Sequence, residues 1–248
     1  SWILAWSRCA WFEPLQLHTF TPLWISYIVV VNALTFRRSG RCMLRDRPGY
    51  FLMLFAASAV FWWFFEYLNR FVQNWYYIAV SSFNPVEYFL FASVSFSTVL
   101  PAVLGTQQFL DTFPFFTRAF GSFFAVGISR QKELAWCLLL LSGLGLAGLG
   151  LAPNLLYPLL WLSPLLMLTA TQRLAGEQHL FSTLTTGNWT APVTAALAGL
   201  ICGFFWEMWN YYSLAKWMYS LPYVHCCSIF EMPLLGFAGY LPFGMECA

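Results

Sequence analysis

Long apolar runs separated by short polar loops dominate the pattern of hydrophobic and polar positions along this chain. A helix needs roughly 20 mostly apolar residues to cross a bilayer, and seven stretches approach that length. We therefore predict an all-α fold, a polytopic transmembrane helical bundle of about seven spans. The predicted spans cover residues 17–36, 50–69, 85–110, 133–152, 154–171, 190–212 and 229–247.

Two further apolar stretches are too short or too interrupted to be counted as spans. Residues 1–16 form an N-terminal segment that we expect to lie at the membrane interface. Residues 112–128 are rich in Phe but contain Arg118, a mixture that is typical of an amphipathic segment lying along the interface.

The basic residues predict the orientation, because loops rich in Lys and Arg stay on the cytoplasmic side. Nine of the 12 basic residues fall in the loops after the first, third and fifth predicted spans. We therefore expect the N-terminus outside and the C-terminus in the cytoplasm. The nine are Arg37, Arg38, Arg41, Arg45, Arg47, Arg118, Arg130, Lys132 and Arg173.

The chain also resembles itself, which indicates an internal repeat. Glu66 and Asn69 in the second predicted span have the same spacing as Glu207 and Asn210 in the sixth. Aromatic segments follow each pair, and an acid, Glu87 or Glu231, stands near the start of the next span. We predict two parallel three-helix repeats, residues 17–110 and 154–248. Residues 111–153 join them as an interfacial segment and one linking helix.

Composition narrows the class of protein. Hydrophobic residues make up 60% of the chain and charged residues only 9%, whereas soluble domains carry about 25% charged residues. These values exclude a soluble domain and a disordered chain, and they indicate contact with membrane lipid. The net charge of +2 offers no basic patch, so we expect no nucleic-acid partner.

Four acids stand out because charge inside a bilayer is costly and usually functional. Glu66, Glu87, Glu207 and Glu231 lie in or at the mouth of predicted spans, toward the outer half. We take them as candidate catalytic residues, since a buried carboxyl group can be held protonated and donate its proton. An alternative is that they only pair with charge partners. Those partners would be Arg70 and Lys216, which would then join the two repeats.

Amide and aromatic side chains next to these acids suggest a binding site. Asn69 and Asn210 lie three residues after an acid, on the same helix face, and can orient its carboxyl group. Trp63, Trp206 and Trp209 adjoin the acids and could stabilise a carbocation or hold a flat polyene. No His is placed to join the four acids, so we expect neither a metal nor a cofactor.

A short motif resembles a known family. Pro85-Val86-Glu87-Tyr88-Phe89-Leu90-Phe91 is similar to the P-x-E-E-x-x-F-F motif of the membrane-embedded, heterodimeric-type lycopene cyclases. The resemblance implies tandem three-helix units and a proton-initiated cyclisation of a carotenoid end group, with Glu87 as a matching acid. The whole chain also resembles a family of bacterial multi-pass membrane proteins with W-E-x-x-N and F-E-M-P-L-L-G signatures. This resemblance implies the inner (plasma) membrane of a bacterium and points to no particular function.

Three functions therefore compete at this point. The first is an intramembrane enzyme that acts by acid catalysis on an apolar isoprenoid or pigment. The second is a non-catalytic subunit of a larger membrane complex, packed against pigments, quinones or helices of partner membrane subunits. The third, a proton or small-solute carrier, ranks last because few polar residues line the inner halves of the predicted spans.

Overall fold

The structure, a computed structural model, describes residues 1–224 and 226–248 and is built mainly of α-helices. Two short two-stranded sheets and three 3-10 segments (Ala10–His18, Ser182–Thr186, Leu234–Gly239) complete it. The helices are α1 (Trp2–Ser7), α2 (Phe20–Ser39), α3 (Met43–Asp46), α4 (Pro48–Val72), α5 (Pro85–Phe96), α6 (Val99–Asp111), α7 (Pro114–Phe120), α8 (Gln131–Gly148), α9 (Pro153–Leu156), α10 (Leu159–Leu174), α11 (Thr190–Tyr212) and α12 (Tyr240–Cys247).

Four helical stretches are long and apolar enough to cross a membrane. They are Phe20–Ser39, Pro48–Val72, Pro85–Asp111 and Thr190–Tyr212. They correspond to the first, second, third and sixth predicted spans, so the membrane-protein class of the prediction is confirmed. The helices in the fourth and fifth predicted positions, α8 and α10, have 18 and 16 residues.

The prediction of one continuous seventh span over residues 229–247 is wrong. The chain forms the strand pair β3 (Ser228–Ile229) and β4 (Met232–Pro233), then a 3-10 segment, and α12 has only eight residues. Hydrophobicity alone suggested a helix here, but Pro233 has no amide hydrogen to continue one. The predicted interfacial segment at 112–128 is likewise helical only over Pro114–Phe120.

The third predicted span is divided into α5 and α6 because Pro101 removes a hydrogen bond from the helix ladder. The Ser58 hydroxyl of α4 occupies the break. It donates to the Phe96 carbonyl oxygen at 2.6 Å and accepts from the Leu100 amide at 3.0 Å. A fully buried side chain thereby satisfies the backbone groups that the break exposes.

Helices α2, α4, α6 and α11 pack together around buried aromatic side chains. Helix α6 contacts the other three, and α11 also packs against α12. Trp24 of α2 is fully buried, and its ring lies 5.0 Å from the rings of Trp206 and Trp209 on α11. Helices α8 and α10 form a second packed pair, and α10 contacts the rest of the bundle through α12 and through Trp161, which stacks on Phe65 of α4.

The loops that follow α4 and α11 meet in an antiparallel strand pair, β1 (Trp75–Ile78) and β2 (Lys216–Tyr219). Trp75 pairs with Tyr219, and Tyr77 pairs with Trp217. Because the two strands are hydrogen-bonded to each other, α4 and α11 end on the same side of the molecule. This strand pair positions the candidate site described next.

Candidate functional site

A cavity of about 640 Å³ lies between the β1–β2 strand pair and the helices. Its volume is within the range of about 300–1,000 Å³ that is usual for small-molecule sites. Val94, Leu162 and Leu235, from three different elements, line it and are also exposed on the outer surface. The wall is mainly apolar, and its aromatic side chains include Trp62, Trp75, Trp161, Trp206, Trp217 and Phe243.

Glu66 does not line the cavity itself, but it accepts hydrogen bonds from three side chains that do. Its Oε1 accepts hydrogen bonds from Trp62 Nε1 at 3.1 Å, Trp75 Nε1 at 3.0 Å and the Tyr77 hydroxyl at 2.6 Å. All three donor residues line the cavity. The carboxyl group therefore contacts the cavity wall through aromatic hydrogen-bond donors.

Glu207 has an equivalent arrangement in α11. Its Oε1 accepts from the Tyr219 hydroxyl at 2.7 Å and from the Tyr240 hydroxyl at 2.5 Å, and both tyrosines line the cavity. Glu207 is fully buried (0% exposed), and its Oε2 has no hydrogen-bond partner among the described residues. A buried carboxyl oxygen without a partner is costly in a structural role alone.

The two asparagines of the E-x-x-N motifs hold the strands rather than the acids. Asn69 Nδ2 donates to the Trp75 carbonyl oxygen at 2.7 Å, and its Oδ1 accepts from the Trp75 amide at 3.3 Å. Asn210 makes the same pair of bonds with Trp217, at 2.8 and 2.9 Å. The prediction that these amides orient the carboxyl groups directly is thus wrong. They instead fix the strands that carry Tyr77 and Tyr219.

The predicted charge partners do not neutralise Glu66 or Glu207. Lys216 pairs with Glu231, with Nζ and Oε1 2.5 Å apart, and this is the single ion pair among the described residues. Arg70 is exposed and takes part in no ion pair of this set. The alternative was that the four acids only pair with Arg70 and Lys216. Among the described residues, the structure shows such a pair for Glu231 and Lys216 alone.

Glu87 lies outside the site. It is exposed, and its Oε2 accepts from the Asn84 amide at 2.9 Å while Asn84 Oδ1 accepts from the Glu87 amide at 3.0 Å. This reciprocal pair is a capping box at the start of α5, and such a box is a helix-start signal. Within the described part of the chain the four acids have separate hydrogen-bond or ion-pair partners.

The three candidate tryptophans have three different environments. Trp206 lines the cavity. Trp63 instead donates to the Ser93 hydroxyl at 2.9 Å and stacks on Phe89, so it joins α4 to α5. Trp209 is buried against Trp24 and Trp2 and does not line the cavity. The prediction for Trp63 and Trp209 rested on their being next to the acids in sequence, and it is wrong because neighbouring residues of a helix point in different directions.

The hydroxyl groups of the strand tyrosines stay protonated. The pKa of Tyr77 lies well above its ordinary value, mainly because the hydroxyl is buried and secondly because the Glu66 carboxyl group is close to it. The pKa of Tyr219 is raised in the same way. Burial is the largest cause, and the nearby Glu207 and Tyr240 side chains add to it. Both residues therefore remain hydrogen-bond donors to their acids across the neutral pH range.

Sequence reasoning missed the tyrosines that contact the acids. Tyr77 and Tyr219 each stand two residues after a tryptophan, in the segment that follows each E-x-x-N motif. That shared W-x-Y pattern was present in the sequence, but an interfacial aromatic belt explained it equally well. Tyr240 carried no such signal.

No known protein family, curated protein or solved structure matches this chain.

Proposed function

We propose that this chain is an integral membrane enzyme that binds an unsaturated apolar lipid of the isoprenoid class and rearranges it by acid–base catalysis. One observation carries the proposal. Each of two intramembrane acids, Glu66 and Glu207, hydrogen-bonds a tyrosine hydroxyl at the wall of one aromatic cavity.

The chemistry needs a proton donor and a proton acceptor that flank one ligand. In the donating pair the acid starts protonated and in the accepting pair it starts as a carboxylate. The tyrosine hydroxyl of the donating pair gives its proton to a carbon of a C=C bond, whose π electrons form the new C–H bond, while the protonated acid passes its own proton to the tyrosine oxygen and becomes a carboxylate. The neighbouring carbon becomes a cation. Loss of a proton from an adjacent carbon to the other acid–tyrosine pair then forms a new double bond. No net oxidation or reduction occurs, and ring closure before the proton loss would give a cyclised product.

The cavity wall suits such an intermediate. Faces of Trp and Tyr attract cations, more strongly where water is excluded, and five tryptophans line the cavity. Cyclisation of a carotenoid end group, which the Pro85–Phe91 motif implies, is one reaction of this type. In this proposal Glu87 has a structural role as a helix cap, and the acids of the two E-x-x-N motifs perform the chemistry.

The matched contacts of the two E-x-x-N motifs support a role for both acids in one site. Exchange of Trp75 for Trp217 and of Tyr77 for Tyr219 leaves the strand register unchanged, as a local two-fold relation requires. The matched Asn69 and Asn210 contacts follow the same relation. We propose two parallel repeats, 17–110 and 154–248, with the N-terminus outside; in the second repeat the short helix α12 takes the place of a third span. Substrate sites commonly lie between such repeats.

Purification from native membranes in mild detergent, followed by mass spectrometry of extracted lipids, tests the binding part of the proposal. We expect a stoichiometric isoprenoid with the wild-type protein and its loss in Ala92→Phe, which fills the cavity. Ala57→Phe on the exposed face of α4 is the matched control and should retain the lipid. A stoichiometric partner subunit without bound lipid would instead favour the non-catalytic subunit.

A further inference from the structure

One side chain of the cavity is polar, buried and without a partner. Asn74 lines the cavity and is 1% exposed. Its backbone amide donates to Asn69 Oδ1 at 2.8 Å and its carbonyl oxygen accepts from the Ser220 amide at 2.8 Å. Neither Nδ2 nor Oδ1 of its side chain has a hydrogen-bond partner among the described residues. Buried amide groups are rarely left in this state unless a ligand or water satisfies them.

The matched position in the second repeat shows how specific this feature is. Lys216 also precedes the tryptophan of its strand and also lines the cavity, but Glu231 neutralises it at 2.5 Å. The two strands therefore present one paired charge and one amide without a partner to the same space. That amide is a polar group without a partner in a mainly apolar wall.

The Asn74 side chain defines the group that would complement it. An asparagine side chain offers a donor and an acceptor together, and one hydroxyl group can accept from Nδ2 while it donates to Oδ1. A phosphate or carboxylate is favoured by a free cation. Of the basic residues that line the cavity, Lys216 is paired with Glu231, and the His18 ring packs against Phe83 and Phe91. A hydrocarbon would leave both amide atoms without a partner.

We infer that the ligand of this cavity is a neutral isoprenoid alcohol whose hydroxyl group is bound by the side chain of Asn74. This inference rests on the proposed function, because it names the substrate class of the same cavity. A second hydroxyl contact is within reach of the same space, since Thr21 and Ser95 line the cavity and bond each other at 3.0 Å. That bond uses only one of their two hydroxyl hydrogens.

Binding of radiolabelled farnesol to the protein in lipid nanodiscs, with unlabelled farnesol or farnesene as competitor, tests the inference. The two molecules share a chain of 15 carbon atoms and differ in the hydroxyl group. We expect farnesol to bind about tenfold more tightly than farnesene, which corresponds to the loss of hydrogen bonds at a buried amide. Asn74→Leu should abolish that preference by weakening farnesol alone.

The controls separate the inference from the proposed function. Asn154→Leu makes the same substitution at an exposed position on α9 outside the cavity and should keep the preference. Thermal unfolding of Asn74→Leu without ligand should match the wild type, because the side chain has no hydrogen bond to lose among the described residues. If both lipids bind equally to wild type and Asn74→Leu, the inference is overturned and the proposed function stands. If neither binds, both are overturned.

Discussion

At the scale of residues, the four candidate acids divide according to their hydrogen-bond partners. Glu66 and Glu207 bind aromatic donors at the cavity wall, Glu231 pairs with Lys216, and Glu87 caps a helix. Their costs and roles differ because burial without a counter-ion is tolerated only where other groups or a function compensate for it. Sequence position alone could not separate these cases.

Replacing Glu66, Glu207 and Glu87 by the corresponding amide should therefore give unequal results. We expect Glu66→Gln and Glu207→Gln to lower isoprenoid turnover about 100-fold or more, in line with the usual contribution of general acid–base catalysis. Glu87→Gln should stay within about twofold of the wild type, because Gln also serves in a capping box. Product analysis by mass spectrometry, normalised to folded protein, measures all three. Equal losses in the three variants would contradict the assignment.

The two hydrogen bonds between the Asn210 side chain and the Trp217 backbone should contribute to stability. Asn210→Ala leaves the Trp217 amide and carbonyl groups without their partner, which costs about 1–3 kcal/mol for each buried group. Asn69→Ala should lower the thermal unfolding temperature in detergent to a similar extent, since it removes matching bonds. Asn154→Ala on the exposed face of α9 is the control and should cause little change.

The sequence predicted those residues of the site that belong to a short motif, and it missed those that come from distant parts of the chain. The E-x-x-N repeat singled out Glu66 and Glu207, the two acids that accept hydrogen bonds from tyrosines of the cavity wall, because polar residues in apolar spans are conspicuous. It assigned the wrong partners, since Asn69 binds a strand residue that lies six positions further along. Tyr240 comes from a distant part of the chain, and only tertiary packing brings it to Glu207.

At the scale of elements, close helix contacts depend on glycine at a few positions. A Cβ atom added at Gly199 of α11 would overlap the Tyr240 carbonyl oxygen and would lie 2.6 Å from the Cα atom of Gly244. The backbones of α11 and α12 are thus in direct contact, which small residues permit in membrane helices. Gly143 of α8, in contrast, has no described neighbour within 4 Å of such an atom.

Alanine substitution at these two glycines should have opposite effects. Gly199→Ala forces α11 and α12 apart and should destabilise the protein by about 1–3 kcal/mol or more, as over-packing does. It should also reduce ligand binding, because Tyr240 lines the cavity. Gly143→Ala should be neutral or stabilising by up to about 1 kcal/mol, as Ala favours a helix over Gly. Thermal unfolding of both variants in the same detergent distinguishes the two effects.

Element boundaries were predictable where backbone chemistry is local. The bounds of the sixth predicted span, 190–212, agree with α11. Asn84 and Pro85 start α5 with a capping box, and Pro101 marks the break before α6. The β1–β2 pair was not predicted, because its strands have only four residues each and all the helices from α5 to α11 lie between them along the chain.

At the scale of the whole molecule, the proposed topology places the strand loops outside and the basic loops in the cytoplasm. The basic loops also contact each other, since the Phe123 amide donates to the Gly187 carbonyl oxygen and the Trp189 amide donates to that of Phe120. The Arg38 side chain bonds Thr112 on the same side. The strand loops contact each other and the basic loops contact each other. These contacts agree with a topology in which the two sets of loops lie on opposite sides of the membrane.

Thiol labelling of intact cells should report this topology. Cys226 and Cys227 are free and exposed in the strand loops, so we expect them to react with a membrane-impermeant maleimide from outside. A variant in which all native cysteines are replaced by Ser and Arg41→Cys is added should react only after the cells are permeabilised. Labelling of both proteins from the same side would contradict the proposed topology.

Solvent deuterium incorporation tests the central claim most directly. The purified protein is incubated in D₂O with an unsaturated isoprenoid, and the recovered lipid is analysed by mass spectrometry. Transfer of a proton from an acid through a tyrosine hydroxyl predicts a rearranged product that carries carbon-bound deuterium, with little in Glu66→Gln or Glu207→Gln. Complete recovery of unlabelled, unchanged lipid from protein that demonstrably binds it would contradict acid–base catalysis in this cavity.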